Sequence, residues 1–248
     1  MAGSEAPPRA ALLAWLRRAA RHPAAEDTLI LRGSLLLGAY CPGHARAAHD
    51  VDYLLPGVFA AAPTERLVQQ IVAIADDAPL VLAGTEPTWA ETDFPGLRAH
   101  LRAGEATFHV DLSCGDPLST PARRVRLDGL HAAVLACAPE TLFGWKLHGL
   151  CEHGAGRWRA KDLYDLDLLW QHAPLDHAAL RPAAELAFSS RHTPLTALDD
   201  FRTRDTWGTS RGGVRKWRAL ARQVPTLGDF LPTRTRVRGA LDAIFGPV

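Results

Sequence analysis

The chain has 248 residues, a formal net charge of +1, 47% hydrophobic residues and 22% charged residues. These values are ordinary for a globular protein, and the length leaves room for one large domain or two small ones. The near-neutral charge gives no overall attraction to nucleic acid, so any nucleic-acid surface has to be a local basic patch.

The composition also bears on the compartment. The four cysteines are scattered and form no C-x-x-C pair, which is typical of buried or incidental thiols in a reducing environment. The first residues lack the charged-then-apolar pattern of a signal peptide. No apolar run reaches the roughly 20 residues that span a bilayer. We therefore expect a cytoplasmic protein that does not bind membranes.

The first predicted element is an amphipathic helix over residues 9–21, rich in alanine and leucine. Residues 28–55 then have the pattern of a strand that ends at Gly33, a Gly-Ser turn, a short apolar helix, a loop and a second strand. Asp50 and Asp52 lie on this second strand. Because side chains alternate along a strand, the two carboxylates project to the same face.

Two carboxylates side by side favour a divalent metal, because hard cations such as Mg²⁺ take carboxylate oxygens as ligands. The Gly33-Ser34 turn adds backbone N–H groups at a helix start, where a phosphate can bind. The D-x-D spacing is common in solvated turns, but Val51 and Tyr53 place this pair inside an apolar run. Metal and phosphate together indicate nucleotide chemistry.

The middle of the chain continues as a mixed α/β pattern. A helix is predicted over residues 64–76 with Thr64 as its cap. A short strand is predicted over residues 80–82, and further short strands over 125–127 and 131–135.

A β-hairpin is predicted between these elements. Residues 97–102 and 107–113 alternate in hydrophobicity on either side of a short turn. Asp111 lies on the returning strand, on the side opposite its apolar residues. It is a third candidate metal ligand, and three converging carboxylates can hold two Mg²⁺ ions for a phosphoryl displacement.

From Pro139 onward the pattern is helical, with a first helix that contains Lys146 and a second over about residues 159–170. Further helical stretches are predicted over residues 178–188, 211–223 and 234–245. We therefore predict an α/β domain over residues 1–137 and a helical domain over residues 138–248 that completes the active-site cleft.

Three features of the helical half each allow a functional and a purely structural interpretation. Lys146, one of three lysines among 28 basic residues, is either a phosphate contact or a surface lysine with a buried stem. Asp162 is either a functional carboxylate or a helix cap. Residues 202–218 mix arginines with Trp207 and Trp217, which suits either a nucleic-acid surface or a solvated face.

Several enzyme classes are disfavoured by missing motifs. The sequence contains no G-x-S-x-G, Walker A or G-x-G-x-x-G pattern, which argues against serine hydrolases, P-loop enzymes and Rossmann dehydrogenases. The histidines near the acidic residues do not match zinc-site spacings.

Four segments, in this order, resemble the AbiEii toxin family of nucleotidyltransferases, within the DNA polymerase β-like superfamily. They are L-R-G-S with R-A-A-H-D-V-D, F-H-V-D-L, E-T-L-F-G-W-K-L-H-G-L, and R-W-R-A-K-D-L-Y-D-L, within about residues 28–170. Ala48 stands where the family pattern has serine or threonine, and the gap from Ser34 to Asp50 is rather long.

The resemblance implies an α+β fold: a nucleotidyltransferase core with a mixed β-sheet flanked by helices, plus a C-terminal helical domain. It implies that Asp50 and Asp52 bind Mg²⁺ or Mn²⁺ and the NTP. Gly33 and Ser34 would hold the phosphates.

The resemblance also assigns roles to residues outside this first segment. Lys146 would contact the triphosphate and Asp162 would be the distal catalytic aspartate. Arg46 matches the arginine of the family pattern and is a candidate nucleotide contact.

The implied activity is transfer of an NMP from an NTP to tRNA or protein, as the toxin of a toxin–antitoxin pair with a cognate antitoxin. A monomer is expected. One alternative keeps the chemistry but uses a small-molecule acceptor, as aminoglycoside nucleotidyltransferases do. Another is a catalytically silent fold that binds nucleotides or a partner protein.

Overall fold

The structure is a computed structural model that describes residues 9–248, so that the expectation about a signal peptide lies outside the described residues. The described chain forms two compact units. The first comprises residues 9–39, Ala47–Asp116 and Ala122–Cys137, and the second comprises Tyr40–Arg46, Pro117–Pro121 and Ala138–Val248.

The first unit contains, within the described residues, a mixed sheet of seven strands. The strands are β1 (Ile30–Arg32), β2 (Asp50–Leu54), β3 (Val81–Thr88), β4 (Gly96–Ala103), β5 (Ala106–Ser113), β6 (Arg123–Val125) and β7 (Val134–Ala136). Their order is β3-β4-β5-β2-β1-β7-β6. The pairs β2–β5 and β1–β7 are parallel and the other neighbours are antiparallel. The predicted hairpin is the β4–β5 pair.

Helices flank this sheet. They are α1 (Arg9–Ala19), α2 (Pro23–Thr28), α3 (Gly33–Tyr40) and α4 (Ala61–Ala73). Helices α1 and α4 pack against each other and against strands β3 to β5. Arg17 fixes this arrangement by donating from both Nε and Nη2 to the carboxylate of Asp76, just beyond α4.

The two faces of the sheet differ in burial, as the alternation of apolar and polar residues along the strands predicted. In β2, Val51 and Tyr53 are buried whereas Asp50 and Asp52 are only half-buried. Strand β5 repeats the pattern, with its apolar residues buried and Asp111 half-buried. One face therefore belongs to the core, and the other presents carboxylates.

Helix α4 differs from the prediction at its start. It begins at Ala61, three residues earlier, and Thr64 is not its cap. Pro63 is tolerated there because the N–H groups of a first helical turn have no partner within the helix. The hydroxyl of Thr64 instead donates to the carbonyl of Ala60 at 2.9 Å.

Strand β3 is longer than the predicted residues 80–82, since it runs from Val81 to Thr88. Its second half contains Gly84 and Pro87, residues that are uncommon within strands. At the edge of a sheet, proline is tolerated because one side of the strand needs no partner. Pairing with β4 then supplies the hydrogen bonds, with a register shift next to Gly84.

The second unit is helical. Its elements are α5 (Pro139–Cys151), α6 (Gly154–Arg157), α7 (Ala160–His172), α8 (His177–Ser190), α9 (Ala197–Thr203), α10 (Arg211–Ala221) and α11 (Phe230–Phe245). Helix α5 packs against α7 and α8. It passes α8 so closely that a Cβ on Gly144 would lie 2.6 Å from the carbonyl oxygen of Ala183.

An aromatic cluster forms the core beneath α10. Trp158, Trp207 and Trp217 are 1%, 1% and 6% exposed, and Phe230 packs against Trp158 and Trp217. Burial in this cluster removes Trp207 and Trp217 from the surface, so the nucleic-acid interpretation of residues 202–218 loses its aromatic contacts.

The four cysteines at positions 41, 114, 137 and 151 are free and buried, as predicted. None of the helices between Arg9 and Val248 combines the length and apolar character needed to cross a membrane. The predicted α+β fold, a mixed sheet with flanking helices and a C-terminal helical region, is confirmed.

Candidate active site

The predicted acidic residues of the first unit lie on one face of the sheet. Asp50 and Asp52 are on β2, and Asp111 lies beside Asp52 in the register of the parallel pair β2–β5. Paired residues of neighbouring strands project to the same side, so the strand-borne carboxylates that the sequence singled out share one face of the sheet.

Gly33 lies directly against the carboxylate of Asp52. A Cβ on Gly33 would lie 1.9 Å from Oδ2 of Asp52, and the φ angle of Gly33 is +75°. Glycine is thus required at this position both for its left-handed backbone and for the absent side chain. Gly33 is also the first residue of α3, so the Asp52 carboxylate lies at the N-terminus of a helix, where a negative charge is favoured.

The residues next to this turn are polar as well. The hydroxyl of Ser34 lies 3.5 Å from Oδ1 of Asp50, a long hydrogen bond. Arg32 is paired with Asp52 in the register of β1 and β2, and its guanidinium donates to the carboxylate of Asp116. Burial lowers the pKa of Arg32, but Asp116 and then Asp52 outweigh that effect and raise it.

Asp111 has a partner that the sequence analysis missed. Arg98 on β4 donates from Nε and Nη2 to the two carboxylate oxygens of Asp111 at 2.7 and 2.8 Å. The two residues are opposite each other in the β4–β5 register. The hairpin alternation carried this signal, since it fixes which residues of two antiparallel strands share a face.

A cavity of about 650 Å³ lies over the same part of the sheet. His49, His100 and His109 line it, together with the polar side chains of Arg102 and Thr107. His109 is the register partner of Asp50, so the cavity adjoins the row of carboxylates. Its volume is in the range of ordinary small-molecule sites.

The second unit contains a separate buried ion-pair cluster, formed by Arg46, Lys146, Asp162 and Asp165. The Nζ of Lys146 lies 3.1 Å from Asp162 and 2.7 Å from Asp165. Arg46 donates from Nε and Nη2 to the two oxygens of Asp165, both at 2.9 Å. The two positive and two negative charges of these side chains therefore cancel within one cluster.

Burial and charge compete in this cluster. Burial would raise the pKa of the fully buried Asp165, but Lys146 and Arg46 outweigh it and lower that pKa. Burial would likewise lower the pKa of Lys146, but Asp165 and Asp162 raise it. Lys146 and Asp165 thus both stay charged at neutral pH.

Asp162 lies in the first turn of α7, where the helix dipole favours a carboxylate, and it also has a side-chain partner. No side chain caps the start of α7, and the carboxylate of Asp162 instead accepts a hydrogen bond from Lys146. A Cβ on Gly149 would lie 3.0 Å from Oδ2 of Asp162, so α5 passes close by. Lys146 is likewise paired, not a solvated surface lysine.

The sequence analysis missed Asp165 as a site residue, although K-D-x-x-D contains it. The spacing of three residues places Asp162 and Asp165 on the same side of α7. Asp165 is the member that contacts both cations of the cluster.

A divalent cation fits Asp50 and Asp52 by donor chemistry, because both offer hard oxygens on the half-buried face. Within residues 9–248, no group of three or more histidine, cysteine, aspartate or glutamate side chains is arranged to hold a metal ion. The third strand-borne carboxylate, Asp111, is ion-paired with Arg98.

A known protein family matches most of this chain. Residues 15–238 match the family described as nucleotidyl transferase AbiEii toxin, type IV TA system. No curated protein sequence shows significant similarity to the chain.

Two solved structures share the fold. JHP933 from Helicobacter pylori superposes with a TM-score of 0.55 at 14% identity, over 95% of this chain and 89% of that chain. A candidate nucleotidyltransferase from H. pylori superposes with a TM-score of 0.56 at 14% identity, over 95% and 92% of the two chains. Because the family match covers most of the residues, the chain belongs to the AbiEii family of nucleotidyltransferase toxins and is a nucleotidyltransferase.

Proposed function

We propose that the protein transfers a nucleoside monophosphate from an NTP to a hydroxyl group of a tRNA or protein, with Mg²⁺ or Mn²⁺ as cofactor. In this reaction the acceptor oxygen bonds to the α-phosphorus, the bond to the β-phosphate breaks, and pyrophosphate leaves. The observation that carries the proposal is the pair Asp50 and Asp52, with Asp52 held against Gly33 at the start of α3.

The sheet residues have roles that follow from their chemistry. Asp50 and Asp52 would hold the cation, which neutralises phosphate charge in phosphoryl transfer. Asp111 is proposed as a third ligand, for which its ion pair with Arg98 has to open. The backbone at Gly33 and Ser34, at a helix N-terminus, is proposed to bind the phosphates.

The cluster of the second unit is proposed to supply further groups. Lys146 is proposed as a triphosphate contact and Asp162 as the distal catalytic aspartate. Both side chains are mostly buried and paired with each other, so their orientation is fixed before substrate binds. Arg46, proposed as a nucleotide contact, is fixed through Asp165, which we propose as a positioning residue.

The biological role proposed from the family is that of a toxin with a cognate antitoxin. Growth arrest on expression, relieved by co-expression of a neighbouring gene, is the expected result. A monomer and a cytoplasmic location stay predictions, and light scattering after gel filtration tests the first.

The direct test is incorporation of label from α-³²P-NTPs into tRNA, protein or a small-molecule acceptor with the purified chain. We expect label in tRNA or protein and release of pyrophosphate, with dependence on Mg²⁺ or Mn²⁺. Asp52→Asn, which keeps the shape but removes the charge, is expected to abolish the transfer. Undiminished transfer in that variant contradicts the proposal, and label only in a small molecule favours the alternative acceptor.

A further inference from the structure

Helix α10 carries a stripe of four arginines that ends one residue beyond it, called the α10 stripe below: Arg211, Arg215, Arg218 and Arg222. The steps between them are four, three and four residues. At about 100° per residue, all four lie within roughly 60° of one another around the helix. The buried residues Gly213, Trp217 and Leu220 of the same helix point the opposite way.

All four side chains of the α10 stripe are exposed, and none pairs with a carboxylate of the described chain. This sets them apart from many other arginines of the second unit. Arg46, Arg181 and Arg236, for example, each pair with an acidic side chain. A general excess of arginine does not account for four neighbouring cations without counter-charges.

The helix that carries the stripe is held firmly. Trp217 donates from its indole nitrogen to the carbonyl of Gly228 at 3.1 Å, and its ring packs against Trp158. Lys216 donates to the carbonyls of Gly156 and Trp158, both at 3.1 Å. The stripe is therefore presented in one orientation, which lowers the entropy cost of binding.

We propose that the α10 stripe binds the phosphate backbone of the RNA acceptor. The planar fork of arginine matches phosphate oxygens, and each guanidinium can neutralise one phosphate. The stripe is about 16 Å long at 1.5 Å per residue, enough for several consecutive phosphates. The proposal deepens the proposed function, on which it rests, because it identifies the acceptor as RNA.

RNA fits this surface better than an acidic protein does. Centres of protein interfaces are also enriched in arginine, but there it accompanies buried aromatic anchors and apolar contact area. On the exposed side of α10 the large apolar side chain is Val214, 37% exposed, while the two nearby tryptophans are buried. The surface offers charge with little apolar area, as phosphate contacts require.

The test measures binding of fluorescein-labelled tRNA by fluorescence anisotropy, without NTP, from about 0.05 to 0.3 M salt. The stripe variant is Arg211→Gln, Arg215→Gln, Arg218→Gln and Arg222→Gln together. Loss of four phosphate contacts is expected to weaken binding at least tenfold at low salt, and to reduce the slope of log K against log salt by about three to four. The paired variant, Arg215→Gln with Arg218→Gln, is expected to reduce the slope by about half as much as the fourfold variant does.

A charge-matched control removes four exposed arginines elsewhere: Arg66→Gln, Arg124→Gln, Arg126→Gln and Arg181→Gln. Arg124 and Arg181 pair with carboxylates, so the control matches the stripe variant in net charge only. The control is expected to bind tRNA nearly as the wild type does. Equal weakening in both variants, or none in either, overturns the proposal. If the fourfold stripe variant does not fold, the paired variant decides by the same criterion.

A catalytic variant separates this proposal from the proposed function. Asp52→Asn is expected to bind tRNA with the wild-type slope, because the α10 stripe is intact. If tRNA binds through the stripe but no label is transferred, the proposed function fails and the inference stands. If label is transferred to tRNA equally by the wild type and the stripe variant, at all salt concentrations, the inference fails and the proposed function stands.

Discussion

The contact between Gly33 and Asp52 can be tested by adding one methyl group. In Gly33→Ala the new Cβ would lie 1.9 Å from Oδ2, 2.7 Å from Cγ and 2.9 Å from Cβ of Asp52. To reach a tolerable separation of 3.0 Å, the carboxylate oxygen has to move by about 1 Å, or the backbone has to shift instead. Either movement displaces the proposed metal ligand.

Two costs follow from this substitution. A left-handed backbone costs alanine about 1 kcal/mol relative to glycine. The clash adds roughly 1–3 kcal/mol, as other overpacking substitutions do. A displacement of about 1 Å in a catalytic group can lower the rate about 100-fold, and we expect at least this loss in nucleotide transfer.

Gly57→Ala is the matched control, since Gly57 has a φ angle of +84° and no heavy atom lies within 4 Å of the position that its new Cβ would take. Its free energy of unfolding, measured by urea denaturation, is expected to fall by only about 1 kcal/mol, the cost of the left-handed backbone, and its activity is expected to be kept. Activity is measured as label transfer from an α-³²P-NTP under identical conditions.

A double-mutant cycle on stability identifies the cause without relying on activity. In an Asp52→Ala background the two closest atoms are gone, so the cost of Gly33→Ala is expected to fall by about 1 kcal/mol or more. In an Asp52→Asn background the shape is kept, and the full cost is expected. The same cost in all three backgrounds refutes the steric argument.

Three further predictions concern charges. Asp165→Ala leaves Lys146 and Arg46 buried without their shared partner. We therefore expect the free energy of unfolding, measured by urea denaturation, to fall by about 3–5 kcal/mol, and to fall by less in Asp162→Ala. Hydrogen bonds from Arg17 lower the pKa of Asp76 to about 2 against the opposing effect of burial, so its stabilising effect is present above about pH 4 and lost as the pH falls to about 2. Unfolding free energies of wild type and Asp76→Asn are expected to differ at pH 7 and converge near pH 2, whereas a constant difference would contradict this. The proposal that Asp111 is a metal ligand predicts opposite effects on the Mg²⁺ concentration needed for half-maximal transfer. Arg98→Gln, which removes the competing partner, is expected to lower this concentration, and Asp111→Asn is expected to raise it. Equal effects of the two substitutions would show that the pair has a structural role only.

Much of the fold could be predicted from local patterns, because they record which side chains face the core. The alternation in β2 and in the β4–β5 hairpin correctly separated buried from half-buried residues. Where a segment broke local rules, as β3 does at Pro87, the prediction failed. The hydrogen bonds that override those rules come from a neighbouring strand, β4.

The sequence by itself singled out Asp50, Asp52, Asp111 and the Gly33-Ser34 turn as candidates, because strand periodicity is a local property. The candidate role of Asp162 came from the family resemblance of its motif, since the local pattern allowed two interpretations. Only the tertiary structure decided which charges are paired. Arg98 holds Asp111, and Asp165 joins Arg46 to Lys146, through contacts between different secondary-structure elements. Pairing depends on distances of a few ångströms between such elements, and no local pattern encodes those distances.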